Sequence, residues 1–138
     1  MRTHVLDASA LYRFISKGDG SHIVDDLLKQ AVVVDMPILM SAVNWGEVYY
    51  SLVKHVGMVK TDNMLAAMLA RVPISLVSVT PEDAVRAARL KAQFKLPYAD
   101  AFAAALTGNQ RVLVTADIEH FERVPKLRLL KLPRAKKV

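Results

Sequence analysis

The chain has 138 residues, 53% hydrophobic and 23% charged, with 19 Lys and Arg against 13 Asp and Glu, a formal net charge of +6. This fits one domain with a real core and excludes a disordered tail; the lack of cysteine excludes disulfides, thiol nucleophiles and Cys-based zinc sites. The first residues lead straight into a strand-like run without signal-peptide architecture, and no apolar stretch nears the roughly 18 residues of a spanning helix, so a cytoplasmic protein without membrane contact is expected.

In chain order, Thr3–Leu6 is a short β-favouring run ending at Asp7. Ala8–Ser16 has Leu11, Phe14 and Ile15 at helical spacing. Gly18-Asp19-Gly20 marks a turn, and Ser21 is placed to cap a helix through about Gln30. The β-branched run at Ala31–Val34 has no clear role, and Pro37–Ser41 reads as a second buried strand. A helix is expected from Val43 to His55, with Trp45, Val48, Leu52 and Val56 on one stripe, then another over Thr61–Leu69 with Thr61 as its cap. Ile74–Val79 is a strand, and Thr80-Pro81-Glu82-Asp83 has the form of a capping box with Pro at the first helical position, opening a helix to about Phe94. Pro97 opens a helix over Tyr98–Leu106, ended by Gly108. Arg111–Thr115 is strand-like, Asp117–Phe121 a helical turn, and Leu127–Leu132 a last strand. Short apolar strands alternating with amphipathic helices imply an α/β fold, a mostly parallel sheet covered on both faces. Residues 1–132 form the single domain and 133–138 a basic tail.

The charge is uneven. Residues 1–122 carry 12 basic and all 13 acidic residues, whereas 123–138 carry seven basic residues and no acid. A second acid-free basic stretch holds Arg86, Arg89, Lys91 and Lys95 on one helix. Such segments contact nucleic acid or serve simply as solvated faces.

Ligands of open α/β sheets bind beyond the carboxyl ends of the strands. Asp7 follows the first strand there, and Asp117 the strand Val112–Val114. Glu47 lies in the first turns of the helix after the second strand, and Asp100 in the first turn of the helix opened by Pro97. Like charges so gathered raise one another's pKa, and a hard oxygen-seeking cation such as Mg²⁺ or Mn²⁺ relieves that cost. Plainer roles exist for each acid: helix caps for Asp7 and Asp117, a helix-dipole partner for Asp100, a solvated surface position for Glu47. Ser9 and Thr115 stand two residues from Asp7 and Asp117, where their hydroxyls can orient a carboxylate or cap backbone. Asn44 shares the face of Glu47 or caps its helix. The four His residues show no ligand spacing and read as surface or packing positions.

The ordered segments Val5-Leu6-Asp7-Ala8-Ser9, Asn44-Trp45-Gly46-Glu47-Val48, Leu96-Pro97-Tyr98-Ala99-Asp100-Ala101 and Val114-Thr115-Ala116-Asp117 with Phe121 together resemble a PIN-domain ribonuclease, specifically a VapC-like toxin of a type II toxin–antitoxin pair. The resemblance spans about Val5 to Leu132. It implies a three-layer α/β/α fold and a Mg²⁺- or Mn²⁺-dependent endoribonuclease, usually a homodimer, silenced by a VapB-like antitoxin. By match, Asp7, Glu47, Asp100 and Asp117 are its catalytic and metal-holding acids, with Ser9, Thr115 and Asn44 in support. Arg86, Arg89, Lys91 and Lys95 would meet the RNA. The departure is Ile118-Glu119-His120, which adds a fifth acid beside Asp117. Two other readings compete: a catalytically silent PIN module that only binds RNA or protein, and a receiver-like phosphotransfer domain, which needs a Lys after a late strand where this chain has Thr115-Ala116-Asp117.

Overall fold

The strands are β1 (His4–Leu6), β2 (Ile38–Ser41), β3 (Ile74–Val77), β4 (Val112–Thr115) and β5 (Leu129–Lys131). Helices α1 (Ala8–Ser16), α2 (Ser21–Val34), α3 (Ala42–Val56), α4 (Met58–Arg71), α5 (Pro81–Phe94), α6 (Tyr98–Thr107) and α7 (Ile118–Phe121) connect them. These are the elements of a computed structural model that describes residues 2–133; beyond Pro133, the expected basic tail lies outside the described residues.

All strands pair in parallel, in the order β3-β2-β1-β4-β5. The chain runs from β1 outward to β3, then returns to place β4 on the other side of β1. The reversal makes the β1/β4 crevice the topological switch point, where ligands of such sheets bind. Successive strand residues alternate between two cores. Leu6, Met40 and Val114 pack with α1–α4, while Val5, Leu113 and Phe121 pack with α5 and α6. The result is the expected three-layer α/β/α arrangement.

Several local expectations change. Ser21 is the first residue of α2, not its cap; Gly20 caps it at φ +82, and a Cβ there would come within 2.8 Å of Pro133. The run Ala31–Val34 continues α2, because Leu28 and Ala31 are buried on its inner face while Val32 and Val33 stay exposed. That burial outweighs the few tenths of a kcal/mol, roughly, by which β-branching lowers helix propensity. Thr61 is not a cap. α4 starts three residues earlier at Met58, and the buried Thr61 hydroxyl donates to the Gly57 carbonyl at 2.8 Å. The capping box at Thr80 and Asp83 forms as expected, as does the Gly108 stop of α6.

Candidate active site

Asp7 leaves β1 as the N-cap of α1 and is 2% exposed. Its Oδ1 accepts from the Ser9 hydroxyl at 2.7 Å and the Ala10 amide at 2.9 Å, and its Oδ2 from the Thr115 hydroxyl at 2.5 Å. The two roles considered for these hydroxyls coexist. Thr115 Oγ1 also accepts from the Asp117 amide at 2.8 Å, and Ser9 Oγ from the Ala116 amide at 2.9 Å. The ends of β1 and β4 are thereby laced through one carboxylate. Burial still dominates: it raises Asp7 to about 7, against the lowering effect of those hydrogen bonds and with added repulsion from Asp117.

Glu47 lies on α3, half-buried, and its Oε1 accepts from Asn44 Nδ2 at 2.9 Å. The same amide nitrogen donates to the Ala99 carbonyl at 3.0 Å, tying α3 to the first turn of α6. Asn44 therefore does not cap α3, a task taken by Ser41; it is fully buried, with its Oδ1 unpartnered. Burial raises the Glu47 pKa, Asn44 lowers it, and Asp100 and Asp117 raise it again.

Asp100 sits in the first turn of α6 at 9% exposure. Its Oδ2 lies 2.8 Å from His120 Nδ1 on α7. Burial raises its pKa too, the His120 bond opposes this, and Asp117 adds to the rise. Asp117 itself is exposed at the start of α7. It is the acid whose charge acts on all three others, so the position beside Glu119 that joins the cluster is Asp117.

The four acids named from the sequence thus form one electrostatic unit at the β1/β4 crevice. Among the described residues none of them pairs with Lys or Arg. No three of the described His, Asp or Glu side chains are drawn into a ready-made cation cage. Instead Glu47 and Asp100 are each held at one oxygen, leaving Oε2 and Oδ1 open, while Asp7 Oδ2 keeps one lone pair. An all-oxygen donor set of four acids without a Lys or Arg partner suits a hard divalent cation.

His120 was missed at the sequence level, where it read as a surface or packing residue. Its only local signal is its place one residue before Phe121. The contact joins residues 20 apart and needs α7 docked on α6. The four basic residues of α5 separate in space. Lys91 donates to the Leu96 carbonyl at 3.1 Å and Lys95 ends the helix, both next to the start of α6. Arg86 pairs with Asp83 and lines one groove with Arg2 and Arg111, and it shares a neighbouring groove with Arg89, Phe94 and Lys126.

With the fold and the acid cluster in view, the chain's family follows. It belongs to the PIN domain family, whose model matches residues 4–127. Its fold is similar to VapBC from Salmonella typhimurium, solved bound to DNA, at 16% identity and TM-score 0.73 over 95% of this chain and 98% of that one. It is also similar to VapBC2 from Rickettsia felis, bound to a promoter fragment, at 17% identity and TM-score 0.71 over 95% and 99%. A third similar structure is the Mycobacterium tuberculosis toxin VapC20, described as cleaving the sarcin–ricin loop, at 15% identity and TM-score 0.64 over 91% and 99%. No curated protein matches significantly. Among the described residues no helix is long and apolar enough to cross a membrane.

Proposed function

We propose that this PIN-domain protein is a divalent-cation-dependent endoribonuclease, a toxin of the VapC kind that acts as a homodimer and is held inactive by a VapB-like antitoxin. The observation that carries the reading is the set of four acids at the switch point, none paired with Lys or Arg among the described residues and three with raised pKa. A fold serving only as a contact surface has no need to bury Asp7 and Asp100 without cations. The structural neighbours support the biological setting, since two are toxin–antitoxin assemblies and a third is an RNA-cleaving toxin by description.

Asp7, Glu47, Asp100 and Asp117 would hold Mg²⁺ or Mn²⁺. Such an ion, when bound, lowers the pKa of a coordinated water and offsets charge on phosphodiester oxygens. The chain's own residues prepare that site. Ser9, Thr115 and the Ala10 amide hold Asp7 in one orientation, and Asn44 does the same for Glu47. Lys91 and Lys95, exposed beside the start of α6, neutralise RNA phosphates away from the cut, which favours salt-sensitive binding with little base selectivity.

The test is cleavage of structured RNA by purified protein with Mn²⁺, alongside Asp7→Asn and Asp100→Asn. Expected is metal-dependent cutting by the wild type and none by the variants. Cleavage undiminished in both variants overturns the assignment. A wild type that binds RNA without cutting it, and gains no stability from Mn²⁺, points to the silent binding module instead.

A further inference from the structure

The acids of the site are anchored from two directions. Asp7 is held by two hydroxyls and a backbone N–H, and Glu47 by a side-chain amide, donors that need no choice of tautomer. Asp100 differs, because its anchor is an imidazole on a separate four-residue helix, α7. That helix is clamped. Phe121, next to His120, is fully buried in the core shared with α6. Arg123, just past α7, donates through Nη1 to the Lys95 carbonyl at 2.9 Å, at the corner from which Leu96 and Pro97 lead into α6. The His120 ring is therefore presented to Asp100 by two anchoring contacts in the residues that directly follow it.

We propose that His120 is a positioning residue for Asp100: its Nδ1–H occupies Oδ2, holds the carboxylate in one rotamer and leaves Oδ1 as the atom offered to a cation. An ionised carboxylate only accepts, so Nδ1 carries the proton and donates. The inference rests on the metal-site reading given above. It follows the general pattern in which a partner behind a ligating carboxylate fixes its direction, and removing that partner weakens metal binding by about 10–100-fold. His120 is the sole imidazole or ammonium-type partner of the four acids among the described residues. It also belongs to the turn Ile118-Glu119-His120, where the sequence departs from the pattern it otherwise resembles.

The test is Mn²⁺ affinity by calorimetry, with EDTA-treated protein, for the wild type, Asp100→Asn, His120→Ala, His120→Asn and His120→Gln. In His120→Asn the amide nitrogen lies close to where Nδ1 was, whereas in His120→Gln it stands one bond farther out. The expected result is at least tenfold weaker Mn²⁺ binding in His120→Ala, recovery of most of that loss in His120→Asn, and poorer recovery in His120→Gln. Thermal midpoints in EDTA identify any variant that has lost α7, and the Asn and Gln variants keep the comparison valid if the Ala variant unfolds. Wild-type affinity in all three folded variants, with binding lost in Asp100→Asn, overturns the positioning role and leaves the metal site standing. Equal weakening in all three also overturns it, since a general packing role would show no rescue by a matched donor. A wild type that binds no Mn²⁺ overturns the metal-site reading and this inference with it.

Discussion

At the carboxyl edge of the sheet, Asp7 follows β1 directly and Asp117 stands two residues past β4; at the amino edge, Arg111 and Arg128 immediately precede β4 and β5, and Arg2 stands two residues before β1. These acids and arginines lie at opposite ends of the parallel strands, and each edge treats its charge differently. Arg111 donates to the Leu106 carbonyl at 2.7 Å and Arg128 to the Asn109 carbonyl at 2.8 Å, while Arg2 is exposed. Arg2, Arg86 and Arg111 share a solvent-facing groove of about 610 Å³. Long side chains keep their guanidinium groups in water while their stems lie on the surface, so this edge costs the fold little. Asp7 and Asp100 have short side chains buried at the start of helices, and their charge cannot reach solvent in the same way. One edge is tolerated positive charge. The other is stored negative charge, and its strain is relieved by protons or by a cation.

Breaking the negative edge should have the largest effect. Asp100→Asn removes an acid from the proposed metal set, and RNA cleavage measured with Mn²⁺ should fall by at least on the order of 100-fold, more than loss of an outer-shell partner.

The metal-free protein should also lose stability as pH rises. Unfolded Asp7 ionises near 3.8 and folded Asp7 near 7, so between those values the folded chain binds the extra proton. Stability then falls with increasing pH across that window, is fully lost from this group above about 7, and is unaffected below about 4. Glu47 and Asp100 are shifted in the same direction and steepen the slope. A displacement of this size corresponds to an amount on the order of 4 kcal/mol at most. Urea unfolding in EDTA between pH 5 and pH 8 measures it. Asp7→Asn, which keeps an oxygen for the Ala10 amide, should flatten the profile and exceed the wild type in stability at pH 8. A wild-type profile that rises over this window would show that burial does not control Asp7.

Mn²⁺ should oppose that loss. At a concentration of 100 times its dissociation constant a cation adds about 2.7 kcal/mol, or several degrees in melting temperature for a domain of this size. The gain should grow from pH 5 to pH 8 as protons leave the acids, and Asp100→Asn should abolish it. A shift that persists in that variant places the ion elsewhere.

The smallest effects belong to the positive side chains. Lys95→Ala, beside α6, should lower the salt dependence of RNA binding by about one unit of slope, while Arg111→Ala at the far edge should leave it unchanged. Both should keep stability within about 0.5 kcal/mol. Equal slopes for the two variants would mean that RNA contacts both edges.

Much of the site is legible in the chain itself because its parts are local. Asp7 and Asp117 stand just past apolar β-runs, Asp100 stands three residues after a helix-starting Pro97, and Ser9 is two residues from Asp7, the acid its hydroxyl holds. The capping box at Thr80 is equally local, since its hydrogen bonds close within three residues. What the pattern mistook at Thr61, or left without a role at Ala31–Val34, was also local in form but decided by packing. Thr61 carries the right chemistry for a cap, yet burial against the core set α4 starting at Met58. Ala31–Val34 has strand-like composition, yet the inner face of α2 held it helical.

By itself, the sequence determined the α/β class and the places of the four acids at strand ends and helix starts, because these and the hydrophobic period are properties of neighbouring residues; the PIN family was legible through the resemblance of four ordered segments. Only the tertiary structure decided which oxygen of each acid is already held, that Thr115 reaches across 108 positions to Asp7, and that His120 backs Asp100. Those contacts join elements far apart in the chain, and nothing in local spacing encodes them until the parallel sheet sets β1 beside β4 and docks α7 against α6.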